Sequence, residues 1–338
     1  MIKRLAAKTL GSPVFGSLVG LLERLTGDQP QSLRVLTYHR VDDPARRPEL
    51  YPGLISATPA GFEEQVRYLA AHCRVVGLPE LIEAARSGRP LPPRAVLITF
   101  DDAYRDFAEC AWPILRRYGL PATLFVPTAY PGHPERAFWW DRLHEILAGS
   151  RAPRLDTPVG TLALASPAGR GQAYRRLRAY VKSLPHREAM RFVDELCAGL
   201  GAPPARGHVL GWDELRGLAR EGVALAAHTR THPLLSRVSL EEVRDEAAGS
   251  RRDLEREIGA VPPAFAYPSG SFTNDVVRAL GEEGFEVAFT TEAGVNDLRR
   301  PHWLRLRRLN VTLNTSLPLL RARMLGGPAL LSPAQRSV

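Results

Sequence analysis

Lysine is almost missing from this chain of 338 residues: only Lys3, Lys8 and Lys182 are lysines among its 45 basic residues. Such an arginine- and alanine-rich bias is what codon usage in a GC-rich genome produces. The alternative is a positive surface, formal charge +9, that meets an anionic partner. The arginines are scattered, with no basic stripe interleaved with aromatics, so nucleic acid is not an expected partner. Cysteine is scarce too. Cys73, Cys110 and Cys197 lie far apart, without a Cys-x-x-Cys, which excludes a disulfide framework and a thiolate zinc site. There is no internal repeat and no low-complexity tract. Nor is there an apolar run long enough to span a bilayer: the uncharged stretch TLGSPVFGSLVGLL, residues 9–22, is too short.

That stretch follows Lys3, Arg4 and Lys8, as the start of a signal peptide would. Pro13 and three glycines interrupt it, however, and no A-x-A-like cleavage site follows. The expectation is therefore an N-terminal helical segment over 1–32, docked on the protein or lying on a membrane surface, in a cytoplasmic and membrane-associated protein. A cleaved signal is the alternative.

What is present is an α/β pattern. Seven short β-rich apolar runs, at 33–38, 95–100, 122–126, 223–227, 263–267, 286–290 and 306–311, alternate with helical periodicity at 61–72, 108–119 and 239–259. The last of these opens on Ser239 with Glu242 three residues on, a capping box, and stops at Gly259. Seven strands alternating with helices predict a barrel-like closure over 33–312. Residues 130–211 hold helical patterns at 138–149, 173–185 and 187–201 and no convincing strand. They read as a helical insertion between the third and fourth strands. Residues 313–338 read as a C-terminal tail.

Two strands end in groups with chemical potential. LITFDDAYRDF (97–107) runs from an apolar strand straight into Asp101 and Asp102. Adjacent carboxylates repel, and burial raises their pKa; a metal ion resolves that cost, one carboxylate binding it while the other stays near as a general base. A solvated turn with Asp102 as a helix cap fits equally well. VALAAHTRTHP (223–233) ends in His228 and His232, four apart, on one side of a helical turn or a tight loop. Two imidazoles and one carboxylate form a three-ligand site with open positions.

FAYPSGSF (265–272) supplies a tight turn at Pro268 and Gly270 that would present Tyr267 to a substrate. His39 follows the first strand, where a lone histidine is more often structural than catalytic. Trp139 and Trp140 suit either stacking on a sugar ring or pinning the insertion onto the barrel. Asp213, beside Trp212, reads as a helix cap.

TFDD, then HTRTH, then FAYPSG, in that order and spacing, resembles the polysaccharide deacetylase family, the NodB-homology group of carbohydrate esterase family 4. The likeness covers roughly residues 33–312. It implies a distorted (β/α)7 barrel and hydrolysis of the acetamide of an N-acetylated sugar in a polysaccharide, oligosaccharide or lipid-linked glycan. It further implies that Asp101 is the catalytic base and that Asp102, His228 and His232 hold one divalent metal, zinc by preference, with cobalt or nickel as substitutes. By the same resemblance the Tyr267 backbone amide helps form an oxyanion hole, with Pro268 and Gly270 shaping the turn.

Two departures stand out. The late Leu-x-His that supplies a general acid in many members is absent from LRLRRLNV (304–311), and the Arg of an Arg-x-Pro-Tyr motif is missing. His39 is the substitute acid on this reading. The expectation is an N-deacetylase of exopolysaccharide or envelope-glycan biosynthesis in bacteria. Hydrolysis of another amide, such as a formamide on a lipid-linked sugar, and a non-catalytic carbohydrate-binding barrel are the rivals.

Overall fold

A computed structural model describes residues 13–26, 31–201 and 207–326. Seven parallel strands close into a barrel: β1 (Ser32–Tyr38), β2 (Ala95–Phe100), β3 (Thr123–Val126), β4 (Ala224–Ala227), β5 (Ala264–Ala266), β6 (Val287–Ala293) and β7 (Leu306–Asn310). They are hydrogen-bonded in chain order, and β7 and β2 both pair with β1, so no edge is left. All seven expected strands are present, to within a residue or three at their ends. The closure is uneven. β1 and β2 share six registered pairs from Leu33↔Ala95 to Tyr38↔Phe100, whereas β4 and β5 share only Phe265↔Ala227, and the β6–β7 register shifts between Phe289 and Ala293. Below β3, the short strand 74–75 pairs with the lower half of β2 and splays the barrel there.

Strand alternation sorts the side chains. Leu33, Val35, Ala95, Leu97, Phe125, Ala226, Ala264, Ala266, Val287, Phe289 and Leu306 form one buried cluster, the barrel interior. Residues of the opposite parity, such as Leu36, Val96, Ile98, Leu124, Leu225 and Ala288, pack under the helices. Both faces being covered, the strands read as continuous apolar runs. Carried two residues further, the interior parity leads to His39 after β1, Asp101 after β2 and His228 after β4, and it includes Arg308 on β7. The period of two therefore gathers these polar groups at the C-terminal end of the barrel, the end where such folds place their chemistry.

The outer helices are α1 (Pro13–Thr26), α2 (Pro59–His72), α3 (Leu78–Ser87), α4 (Trp112–Arg117), α8 (Trp212–Arg220), α9 (Leu240–Ile258), α10 (Asn274–Glu282) and α11 (Leu317–Met324). The helix expected over 108–119 is broken: residues 107–111 form a π turn before α4. Pro113 has no N–H to continue the α register, and Trp112 N–H reaches back to Phe107 O instead. Asp213 does not cap α8. The cap is Gly211, whose amide donates to Glu214 Oε2 (2.8 Å), while Asp213 lies exposed against Arg216. The segment read as a C-terminal tail begins with α11. There Arg321 pairs with Glu23 of α1 (2.5 Å), and Met324 O accepts from Arg34 Nε of β1 (2.9 Å).

Between β3 and β4 lies the insertion, α5 (Trp139–Gly149), α6 (Pro167–Ser183) and α7 (His186–Gly199), around its own core of Leu143, Leu147, Leu164, Leu177, Val181 and Val193. It also holds a strand pair, 154–155 against 162–163, that the sequence reading lacked; two residues a side are too few for an alternation signal. No helix among the described residues is long and apolar enough to cross a membrane.

The capping box on α9 is as expected: Ser239 Oγ accepts from Glu242 N (3.2 Å) and Glu242 Oε2 from Ser239 N (3.0 Å). Ser239→Ala should lower the unfolding free energy by about 1 kcal/mol in urea titrations, and an unchanged value would show that the cap contributes nothing.

Candidate active site

A pocket at the C-terminal end of the barrel is lined by His39, Asp101, Asp102, His228, His232 and Ser269, with Arg308 at its base. Neighbouring strand residues normally face opposite ways, so Asp101 and Asp102 share this pocket only because the chain turns. Asp102 (φ 72°) and Ala103 (φ 50°) are left-handed. Thr229 (φ 64°), His232 (φ 61°) and Ser269 (φ 53°) are left-handed as well, so five of the seven such non-glycine residues among the described residues cluster here. Backbone strain of this kind, costing roughly 1–3 kcal/mol each, concentrates at functional sites. The histidine pair sits on a tight loop rather than a helical turn, with His232 N–H donating to Thr229 Oγ1 (3.0 Å).

Asp102 Oδ1 is buried, accepts no hydrogen bond, and lies 3.5 Å from His228 Nε2 and 3.4 Å from His232 Nε2. Ligands about 2.0–2.1 Å from a tetrahedral zinc stand about 3.3–3.4 Å apart, so this donor set fits such an ion. His228 Nδ1–H donates to Ala266 O (2.8 Å), which leaves the Nε2 lone pair facing Asp102. Burial pushes the His232 imidazole down to about 3, against the pull of Asp102, with His228 and Lys182 adding to the depression; His232 is therefore neutral, as a ligand must be. Burial acts downward on His228 as well, but there the adjoining Asp102 carboxylate and the Asp101 charge outweigh it and raise the pKa.

Asp101 belongs to a different arrangement. Arg308 grips it bidentately, Nη1 to Oδ1 at 2.8 Å and Nη2 to Oδ2 at 2.7 Å, and both side chains are buried. Arg308 is itself fixed by Thr290 O (2.7 Å to Nε). Burial would raise the Asp101 pKa; the guanidinium, helped by His228, more than reverses this and holds the carboxyl well below the usual range. The sequence reading missed Arg308. The signal was there, since Arg308 shares the parity of Leu306, two residues before it. FAYPSG holds no arginine, and the guanidinium that meets Asp101 comes from β7.

Several expected residues are placed otherwise. The Tyr267 amide donates to Phe289 O (3.0 Å) and its hydroxyl to Leu304 O (2.9 Å), so both are spent and the ring is buried; Tyr267 does not offer an oxyanion donor. The residue that the Pro268–Gly270 turn brings to the pocket is Ser269. Pro268 is buried, and Gly270 is a packing requirement: a Cβ there would fall 1.9 Å from Thr291 Oγ1. Trp140 is 1% exposed, donates to Tyr104 Oη (2.8 Å) and sets its ring 4.7 Å from His232, so it pins rather than stacks on sugar. Both tryptophans line a cleft beside the pocket, and of the two Trp139 is the one left half-buried rather than buried.

Around the carboxylate turn lies a buried network that no motif announced. Tyr104 donates to Asp141 (2.8 Å), Arg40 lies over the Tyr104 ring (4.2 Å) and pairs with Asp106 (2.7 Å). Burial, opposed by Arg40 and Tyr104, pushes Asp141 up to about 6. The returning end of the insertion clamps the same turn, with Arg105 N–H to His208 O (2.7 Å) and Leu210 N–H to Ala103 O (2.9 Å).

The sequence profile described as "Polysaccharide deacetylase" matches residues 88–288. The poly-beta-1,6-N-acetyl-D-glucosamine N-deacetylase of Escherichia coli (strain K12) is 32% identical over 104 residues, 30% of this chain and 15% of that protein. The match spans less than half the length of the curated relatives. The fold is shared with the Streptococcus pyogenes deacetylase PplD in complex with acetate (TM-score 0.59, 19% identity, 89% of this chain and 100% of that one). It is shared too with IcaB from Ammonifex degensii (TM-score 0.57, 20% identity, 88% and 98%).

Because the Asp101 pKa is depressed on folding, its stabilising contribution is complete above the unfolded carboxylate value of about 3.9 and is lost as pH falls through the folded value. Arg308→Met strands that buried carboxylate and should cost about 3–5 kcal/mol at neutral pH, with acid unfolding displaced to higher pH. Equal acid midpoints for variant and wild type would show the pair to be energetically idle.

Proposed function

Since the chain belongs to the polysaccharide deacetylase family, we propose that it removes the N-acetyl group from an N-acetylated sugar of a glycan, releasing acetate and a free amine. The observation that carries this reading is the convergence of Asp102, His228 and His232 beside a separately ionised Asp101. A divalent ion held by those three ligands, zinc best matching two imidazoles and a carboxylate, supplies a Lewis acid and an acidified water. Asp101 takes the proton of the attacking water. Its oxygens keep lone pairs for this beyond those occupied by Arg308, which also fixes the carboxylate plane. His39, across the pocket on the β1 end, delivers a proton to the departing amine; its own amide is anchored on Ser56 Oγ (2.9 Å). Thr37 Oγ1 and Asn310 Oδ1, buried in the pocket wall without a protein hydrogen bond, are suited to hold sugar hydroxyls.

The glycan we assign is an exopolysaccharide or an envelope precursor, handled on the cytoplasmic side of a membrane. In support, α1 exposes Leu18 (53%), Leu21 (53%) and Leu22 (42%), spaced to share one helix face, behind the basic Lys3, Arg4 and Lys8 of the sequence. Residues 1–12 lie outside the described residues.

Acetate release from N-acetylhexosamine oligomers, with metal content measured on the same preparation, tests the reaction. Asp101→Asn should keep the metal and lose about 10²–10⁴-fold in kcat, as should His39→Gln, whereas His228→Ala should lose the metal. Arg308→Lys, by loosening the grip on Asp101, should move the acid limb of the kcat/KM profile to higher pH. Metal-loaded protein with no acetate release from any oligomer would shift the reading to a formylated or lipid-linked amide, and protein that takes up no metal would end it. Replacing Leu18, Leu21 and Leu22 by serine should weaken co-sedimentation with anionic vesicles about tenfold or more, given roughly 0.8 kcal/mol per buried methylene; unaltered sedimentation would remove α1 from membrane contact.

A further inference from the structure

Beside the catalytic pocket, and sharing His232 and Ser269 with it, lies a second cleft. Its walls include Trp139, Val181, Leu184 and Met190, and its rim carries Lys182 and Arg237. The apolar wall lowers the local dielectric, so rim charges act strongly on whatever enters. Lys182 belongs to the last turn of α6, a helix of 17 residues with five cations (Arg170, Arg175, Arg176, Arg178 and Lys182) and no acid. A basic residue there suits the helix dipole, but the dipole does not require the side chain to turn inward. Lys182 does: its Nζ donates to Ser269 Oγ across the cleft at 3.2 Å. Burial and the neighbouring Arg178 draw its pKa down to about 7, a cost that an anion at this position would reverse.

The nearby carboxylates have other work. Glu246 accepts from the amides of Arg230 and Thr231 (2.7 and 2.9 Å) and from the Thr231 hydroxyl (2.6 Å), and Glu242 completes the cap of α9. In the pocket itself, Asp101 is neutralised by Arg308 and Asp102 faces the two imidazoles. Cations can also donate to neutral hydroxyls, but two of them over an apolar wall favour a charged ring over a neutral acetamido sugar, even with Arg237 Nη1 donating to Ser183 O (3.2 Å).

We propose that this cleft is a subsite for an anionic unit of the glycan, a uronate carboxylate or a phosphate adjoining the sugar that is deacetylated. Lys182 and Arg237 pair with the charge, and Trp139 packs against the ring that bears it or the sugar next to it. The proposal rests on the deacetylase reading for where the reacting sugar sits. It predicts that charge on the substrate, rather than chain length, sets KM.

Three substrates test it: a neutral N-acetylglucosamine tetramer, a tetramer alternating N-acetylglucosamine with glucuronate, and N-acetylglucosamine on a polyprenyl pyrophosphate in neutral micelles. At low ionic strength one of the two anionic substrates should show a KM about tenfold or more below that of the neutral one, and salt should erase the difference. The uronate and pyrophosphate arms identify the source of the charge. Lys182→Gln and Arg237→Gln should each raise the anionic KM more than the neutral one, whereas a merely structural role would shift both alike and overturn the assignment. Equal KM values for all three at low ionic strength would overturn it as well. Calorimetric binding of the same ligands separates the two readings. Charge-dependent binding with no acetate from any substrate sinks the deacetylase reading and keeps the subsite. Charge-independent binding sinks the subsite, whatever acetate is released.

Discussion

Two carboxylates, adjacent in sequence and both buried, must stay ionised at the end of one strand, and much of the surrounding structure answers that requirement. Left alone, the pair would share a proton, because like charges in a low dielectric cannot both persist. Here they are separated by opposite partners. Asp101 continues the inward parity of β2 and meets Arg308, which reaches it from β7, two strands away around the closed barrel. Asp102 is swung back by a left-handed turn and meets His228 and His232 from the end of β4. One carboxylate is thus committed to a fixed cation, and the other keeps an oxygen that accepts no hydrogen bond. That asymmetry is what the roles proposed for them require, one as a base and the other as a ligand.

A left-handed turn at two non-glycine residues is not self-supporting, and the insertion supplies part of the support. Its returning end bonds the turn backbone at Ala103 and Arg105, while Trp140 on α5 bridges Tyr104 of the turn to His232 of the other loop. Arg40, just past β1, braces the far side through Asp106 and the Tyr104 ring. The insertion is therefore part of the frame that fixes the angle between the carboxylate turn and the histidine loop, besides forming one side of the neighbouring cleft.

The barrel was legible in the sequence because its signals are local. Strands buried on both faces must be apolar throughout, and Gly, Pro and capping residues punctuate them, so all seven could be read off. The Asp and His motifs were legible for a related reason: four unusual residues stood at the ends of apolar runs, where the cost of burying them asks for an explanation. What escaped was carried by pairing across the barrel. Arg308 looks like one more arginine in an arginine-rich strand until the closure sets it under Asp101. Tyr267 looked available until β6 took its amide, and the turn presented Ser269 in its place. Trp140 and Trp139 are neighbours in sequence, yet only the fold decides that one is buried against His232 while the other stays half-buried in the cleft wall.

The same logic bears on how a family barrel can drop a motif residue and keep its site. The bonding partner of Asp101 has to be a buried, planar, permanently charged donor at fixed distance, and the fold constrains where its side chain ends rather than where its backbone begins. Every strand of a closed barrel delivers alternate side chains to the same central volume, so a guanidinium that meets Asp101 can arrive from β7, two strands away. The proton donor proposed above is under an equivalent freedom. With no histidine on β7, where Arg308 and Asn310 occupy the inward positions, His39 on the adjacent β1 is the imidazole that shares the parity and the pocket. Position in the barrel's interior, counted by twos along each strand, is thus a more stable description of this site than the motif that first draws the eye to it.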